Sequence, residues 1–116
     1  RQAVLTNKPN PFSKEMLCKL GVGDYFFDIV GGNSGFPKKP DAAVIHAWMK
    51  QENLSPQEVV MVGDSVIDIE TCRNAGVEAA IVTHGFESRD TLQSHAPGVL
   101  ADSFDELLAI AKQKVW

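Results

Sequence analysis

Residues 59–76, VVMVGDSVIDIETCRNAG, constrain the fold more than any other stretch of this chain. Val59, Val60, Met61 and Val62 form an unbroken apolar run, the pattern of a strand buried on both faces. Gly63 ends the run, and a residue without a Cβ permits a sharp turn there. Asp64 stands at the end of the strand. With a helix starting near Val66, Asp68 falls in its first turn and faces back toward Asp64. Two carboxylates beside the Ser65 hydroxyl, at the carboxyl edge of a buried parallel strand, suit a hard cation such as Mg²⁺. They equally suit a plain strand-to-helix turn capped by an aspartate. On this stretch alone both readings stand.

From the start of the chain, Gln2-Ala3-Val4-Leu5 reads as a strand that ends at Thr6-Asn7-Lys8-Pro9. Pro9 and Pro11 cannot continue a helix or a central strand, so the chain turns. Turn chemistry by itself accounts for Thr6 and Asn7. Phe12, Met16, Leu17 and Leu20 then recur at helical spacing, with Ser13 as N-cap and Gly21 as stop. Residues 26–30 form a short strand ended by Gly31-Gly32, and residues 33–38 a loop of turn formers. Lys38-Lys39 stand just before a helix over 41–53, where a helix N-terminus favours negative charge. A local rule broken without evident gain points to function, although paired loop lysines are commonly just solvated. Val44, Ile45, Trp48 and Met49 give that helix a core stripe, and His46 reads as a surface residue.

Ser55-Pro56-Gln57-Glu58 has the form of a capping box that makes one turn before the central strand. Beyond that strand a helix spans 66–75, with Ile67, Ile69, Cys72 and Ala75 as apolar contacts and Gly76 as stop. Residues 77–83 are a further buried strand, followed by the turn His84-Gly85-Phe86, whose lone histidine reads as non-catalytic. A short helix at 90–95, a strand at 98–102 and a second capping box at 103–106 lead into the terminal helix. There Leu107, Leu108, Ala111 and Val115 face inward. Strands alternating with helices predict an α/β fold, a Rossmann-like parallel sheet with helices on both faces. Thr6 and Asp64 each follow a strand, so both belong at the carboxyl edge. A hydroxyl, the Lys39 ammonium and the Asp64 and Asp68 carboxylates gathered there suit a phosphate group with Mg²⁺.

The 116 residues suffice for one domain with a core, not for two. A net charge of −4 argues against a nucleic-acid surface or a polybasic membrane patch. No apolar run approaches the ~20 residues of a membrane span, and no signal peptide is visible. Cys18 and Cys72 lack metal-ligand spacing and read as reduced core cysteines of a cytoplasmic protein, a disulfide being the alternative.

Three motifs together resemble the haloacid dehalogenase-like hydrolases. Val4-Leu5-Thr6-Asn7 matches the second motif of the phosphatase members, Lys39-Pro40 the third, and Gly63-Asp64-Ser65-Val66-Ile67-Asp68 the fourth, a GDSxxD. Lys38-Lys39-Pro40, the GDS form and Thr83-His84-Gly85-Phe86 look most like the phosphoglycolate phosphatase subgroup, although Ala42 stands where that subgroup commonly has a second proline. The resemblance covers essentially the whole chain. It implies a Mg²⁺-dependent phosphate monoester hydrolase acting through an aspartyl-phosphate. In that scheme Thr6 and the Asn7 backbone amide hold the transferring phosphoryl group. Lys39 neutralises its charge, Asp64 ligates the metal, and Asp68 orients a water or Lys39.

One family feature has no counterpart: the first motif, DxDG or DxDx[TV], which carries the nucleophile. The chain begins where the second motif begins. It therefore reads, over residues 1–116, as the C-terminal part of a core domain without nucleophile, cap or central first strand, and inactive alone. The family's strand order is 5-4-1-2-3, so the strands ending at Thr6 and Asp64 lose their shared partner. Unpaired backbone groups there are costly. Three remedies are expected: the strands close up, a second copy lends a strand, or the missing N-terminal segment supplies it. The reading from a different class is a non-catalytic module binding Mg²⁺ or a phosphorylated ligand. A receiver-type signalling domain is a weaker form of it, because the order of its acidic residues does not match.

Overall fold

Glycines and prolines set most element boundaries in the computed structural model, which describes residues 1–114 and 116. Strand β1 (Gln2–Leu5) leads through the Pro9 and Pro11 turns into helix α1 (Phe12–Lys19). A 3₁₀ turn at Gly23–Tyr25 precedes β2 (Phe26–Val30), and a long loop precedes α2 (Ala43–Glu52). A second 3₁₀ turn, Pro56–Glu58, feeds β3 (Val60–Gly63) and α3 (Val66–Ala75). The remaining elements are β4 (Glu78–Val82), α4 (Arg89–Ser94), β5 (Val99–Ala101) and α5 (Phe104–Lys114). The alternation expected from the sequence is present throughout.

Caps explain the boundaries that moved. Ser13 is not an N-cap; it lies buried inside α1 and its hydroxyl donates back to the Lys8 carbonyl at 3.1 Å. Gly21 stops α1 with a left-handed φ of 76°. Helix α2 starts later than 41 because the Asp41 carboxylate accepts the Ala43 N–H at 2.8 Å, satisfying one of its unpaired donors from outside. The Glu58 carboxylate accepts the Ser55 N–H at 2.8 Å, closing the box before β3. At α5 only one arm of the expected box forms: Ser103 accepts the Glu106 N–H at 3.0 Å, while Glu106 reaches the Asp102 N–H instead.

All strand pairs are parallel, but the strands make two separate ladders, β1-β2 and β3-β4-β5. Strands β1 and β3 do not close up on each other, which removes the first of the three expected remedies. One hydrophobic cluster nevertheless spans the division. Ile45 and Met49 of α2, Ile69, Cys72 and Ala75 of α3, and Ile81 of β4 form it, and both Leu5 of β1 and Met61 of β3 pack against it. On the opposite face Ala80, Val82, Val99 and Ala101 pack with Leu107 of α5, joined by Val60. The two faces of the sheet are thus covered by different helices.

Four burial expectations fail. Val62 is 50% exposed, so β3 is not buried on both faces: it pairs with β4 alone, and Val62 lines an open cleft with Val82, His84 and Phe104. Ile67 and Leu108 are also exposed, each on the outward side of its helix. Cys18 lies on the surface and only Cys72 belongs to the core; both thiols are free. Val115 lies outside the described residues. Among the described residues no helix is long and apolar enough to cross a membrane.

Candidate functional site

The segments that follow β1, β2, β3 and β4 form the carboxyl edge, and hydrogen bonds tie them together across the divided sheet. Thr6 extends the β1-β2 ladder by donating its N–H to the Val30 carbonyl at 3.0 Å. Its hydroxyl oxygen accepts the Lys8 N–H at 3.1 Å, which leaves the hydroxyl proton for another acceptor. Asn7 grips the loop after β2 with both ends of its amide. Its Oδ1 accepts the Lys39 N–H at 3.1 Å and its Nδ2 donates to the Lys39 carbonyl at 3.4 Å. Gly31 and Gly32 permit this approach, since a Cβ on Gly31 would lie 2.8 Å from the Lys8 carbonyl and one on Gly32 would overlap that of Asn7.

Fixing the Lys39 backbone aims its side chain at α3. Nζ donates to Asp68 Oδ1 at 2.8 Å, with the lysine side chain 15% and the aspartate side chain 5% exposed. The lysine that looked misplaced before α2 therefore neutralises a carboxylate in the first turn of a different helix. The second oxygen of Asp68 accepts the Asp64 N–H at 3.0 Å, the Ser65 N–H at 3.2 Å and the Ser65 hydroxyl at 2.9 Å. Ser65 in turn accepts the Asp68 N–H at 3.3 Å, completing a capping box at the start of α3. Burial alone would raise the Asp68 carboxyl. The hydrogen bonds from Lys39, Asp64 and Ser65, with the lysine charge, outweigh it and hold Asp68 below the ordinary carboxylate value. Gly63 is required here, because a Cβ would overlap the Asp68 carboxylate.

Asp64 contrasts with Asp68. It is exposed, and among the described residues its carboxylate has neither hydrogen-bond nor ion-pair partner. The chain behind it is close-packed: a Cβ on Gly85 would lie 2.7 Å from Asp64 Oδ2 and 3.0 Å from its carbonyl oxygen. The Val66 N–H, the first of α3, is accepted by Glu87 Oε2 from the loop after β4. The Asp64, Ser65, Val66 and Asp68 N–H groups at this helix start are thus taken by Asp68, Glu87 and Ser65, while the Ile67 N–H finds no acceptor among the described residues. Beside that one donor the turn presents the free Asp64 carboxylate, whose charge favours a cation. Among the described residues no group of three or more His, Cys, Asp or Glu side chains surrounds a point. A cation here would take Asp64 from this chain and complete its shell from elsewhere.

The five residues singled out in the sequence are not equally joined. Asn7, Lys39 and Asp68 form one continuous chain of hydrogen bonds that reaches the Asp64 backbone; the Thr6 hydroxyl bonds only within its own turn. A cleft of about 370 Å³ beside Asp64 is lined by Val62, Gly63, Val82, His84 and Phe104. His84 is held on its rim, with Nε2 2.9 Å from the Asp102 carbonyl and the ring edge-on to Phe104. Sequence reading missed the clamp made by the Asn7 side chain, because its partner is 32 residues away. It also missed what Gly85 and Glu87 do; Gly85 entered it only as part of the Thr83-His84-Gly85-Phe86 turn, and nothing in it pointed to Glu87.

Comparison with known proteins follows the same lines. The profile of the haloacid dehalogenase-like hydrolases matches residues 1–82. Phosphoglycolate phosphatase of Vibrio vulnificus strain YJ016 is 36% identical over 108 residues, which cover 93% of this chain and 47% of the relative. That of Pectobacterium atrosepticum is also 36% identical over 108 residues, covering 93% and 46%. Among solved structures, a "predicted phosphoglycolate phosphatase" from Haemophilus somnus 129pt superposes with a TM-score of 0.86 at 29% identity, covering 94% of this chain and 48% of that one. A haloacid dehalogenase-like hydrolase from Streptococcus pneumoniae gives 0.82 at 26% identity, covering 93% and 50%. The chain spans about half the length of the curated relatives it matches.

Proposed function

The chain belongs to the haloacid dehalogenase-like hydrolases, and from that premise we propose that it supplies half of the active site of a phosphate monoester hydrolase of the phosphoglycolate phosphatase type. The carrying observation is the bond from Lys39 Nζ to Asp68 Oδ1, which brings an ammonium group to the turn that holds Asp64. Lysine has two further N–H donors, and these would meet phosphoryl oxygens. The Thr6 hydroxyl proton would bond another such oxygen, with the Asn7 backbone amide assisting. Asp68 holds the Lys39 ammonium in place, and Asp64 is the carboxylate that would hold Mg²⁺. When bound, Mg²⁺ supplies charge neutralisation for the phosphoryl group. Mg²⁺ keeps several waters and takes one or two carboxylates, which suits a site where this chain offers one.

The reacting carboxylate would come from a further parallel strand seated between β1 and β3. Both strands have a free edge there. In this scheme the strand comes from the half that the relatives carry and this chain does not span, and its terminal aspartate would form and release an aspartyl-phosphate; a second copy of this chain would fill the edge but, without the first motif, would bring no nucleophile. On this reading residues 1–116 are a partial core domain, inactive alone. A cytoplasmic, reducing setting suits its two free thiols.

Hydrolysis of phosphoglycolate and of a generic aryl phosphate tests this, measured with and without Mg²⁺ on the chain alone and on the chain joined to the half its relatives carry. The joined protein should be active only with Mg²⁺. Asp64→Asn should raise the Mg²⁺ concentration it needs, and Lys39→Ala should lower kcat by about 10²–10³, the effect of losing one oxyanion donor. Activity of the chain alone, and above all Mg²⁺-dependent activity that Asp64→Asn abolishes, would refute the proposal, because some residue of this chain would then be the nucleophile. Mg²⁺ binding without turnover in the joined protein would favour the non-catalytic module instead.

A further inference from the structure

The bonds that shape the Asp64 turn come from two sources. Asp68 and Ser65 satisfy the N–H groups of Asp64, Ser65 and Asp68 from within the turn itself. The Val66 N–H is satisfied from outside, by the Glu87 carboxylate. Glu87 stands on a braced loop: Thr83 Oγ1 donates to Asp102 Oδ1 at 3.0 Å, Arg89 Nε donates to the same oxygen at 3.1 Å, and Ser88 caps α4 by accepting the Thr91 N–H at 3.1 Å. The same loop lays Gly85 against the Asp64 carboxylate.

We propose that Glu87 is a positioning residue for Asp64: by accepting the Val66 N–H it pins the turn against Gly85 and fixes the direction in which Asp64 offers its carboxylate to a divalent cation. The assignment rests on the reading of Asp64 as a cation ligand. Glu87 itself touches neither cation nor substrate. Its contribution is the bond, not the charge, so a glutamine, whose side-chain oxygen accepts the same N–H, replaces it.

Two readouts test this: hydrogen exchange of the Val66 amide on the chain without metal, and binding of Mn²⁺ to the chain joined to the half its relatives carry, followed by electron paramagnetic resonance. Glu87→Ala should speed Val66 exchange and weaken Mn²⁺ binding, each by about 10-fold, the worth of one hydrogen bond. Glu87→Gln should leave both within about 3-fold of the unsubstituted chain. Equal loss of Mn²⁺ binding in the two variants would assign the effect to charge and overturn the proposal, as would Mn²⁺ binding that Glu87→Ala leaves unchanged. Absence of Mn²⁺ binding in the unsubstituted joined protein overturns the cation reading of Asp64 itself, and the role of Glu87 falls with it.

Discussion

Lys39 and Asp68 carry the most consequential single contact, because both are largely withdrawn from water. Breaking such a pair leaves a buried charge uncompensated. Asp68 keeps its three donors from Asp64 and Ser65, so Lys39→Ala should cost about 1.5–3 kcal/mol near neutral pH, the worth of a hydrogen bond to a charged group, measured by urea unfolding. The pH dependence has a definite sign. The Asp68 carboxyl is lower in the fold than its ordinary value of 3.8, so its stabilisation is present above pH 3.8 and lost as pH falls through the lower folded value. Removing Lys39 removes its hydrogen bond and its charge and leaves burial opposed only by the bonds from Asp64 and Ser65, so Lys39→Ala should unfold in acid at a higher pH than the parent chain. The cysteines give a second residue-level expectation. Burial, with the Asp68 charge, pushes the Cys72 thiol up to about 11. At neutral pH a maleimide should therefore label exposed Cys18 at once and Cys72 only on unfolding, read as one adduct and then two by mass spectrometry.

At the scale of elements, the start of α3 decides the geometry of the site. Ser65→Ala removes both bonds of the hydroxyl, the one to Asp68 Oδ2 and the acceptor for the Asp68 N–H, while the Ser65 N–H keeps its bond to Asp68, and should destabilise by about 1–2 kcal/mol in thermal or urea unfolding. The bounds of α3 were legible in the chain because glycine punctuates them: Gly63 and Gly76 bracket the turn and helix, and Gly76 takes a left-handed φ of 75°. The facing of Asp68 toward Asp64 was legible too, since helical geometry alone dictates it. Which flanks of the helices meet other elements was not. Ile67 and Leu108 are apolar at helical spacing yet exposed, because burial depends on what stands opposite and not on the helix's own pattern. The Asn7 amide was hidden for the same reason: its partner is set by the loop that Gly31 and Gly32 allow to come close.

For the molecule as a whole, the divided sheet sets the distribution of stability. Strand β4 is paired on both sides and its residues Ala80 and Ile81 are fully buried, whereas β1 and β3 each have one partner. Native-state hydrogen exchange should therefore be slowest across Glu78–Val82 and markedly faster in Gln2–Leu5. Equal protection in the two strands would mean that the ladders are joined in solution. The parallel sense of the strands followed from the alternation of elements, but the division did not; it was expected only from the family resemblance, whose central first strand has no counterpart in this chain. Periodicity reports that a strand exists and is silent on whether both of its edges find neighbours.

The two free edges also make melting temperature a quantity of mixing. On the proposed function, a chain segment that settles between β1 and β3 would bind the folded form alone, so its free energy of association would add to stability as the logarithm of its concentration. A dilution series then acts as a titration. If the guest is another copy of the chain, the midpoint of unfolding climbs with protein concentration. If it is tethered on the same polypeptide, the midpoint stays level while the whole curve sits higher, at an effective concentration fixed by the tether.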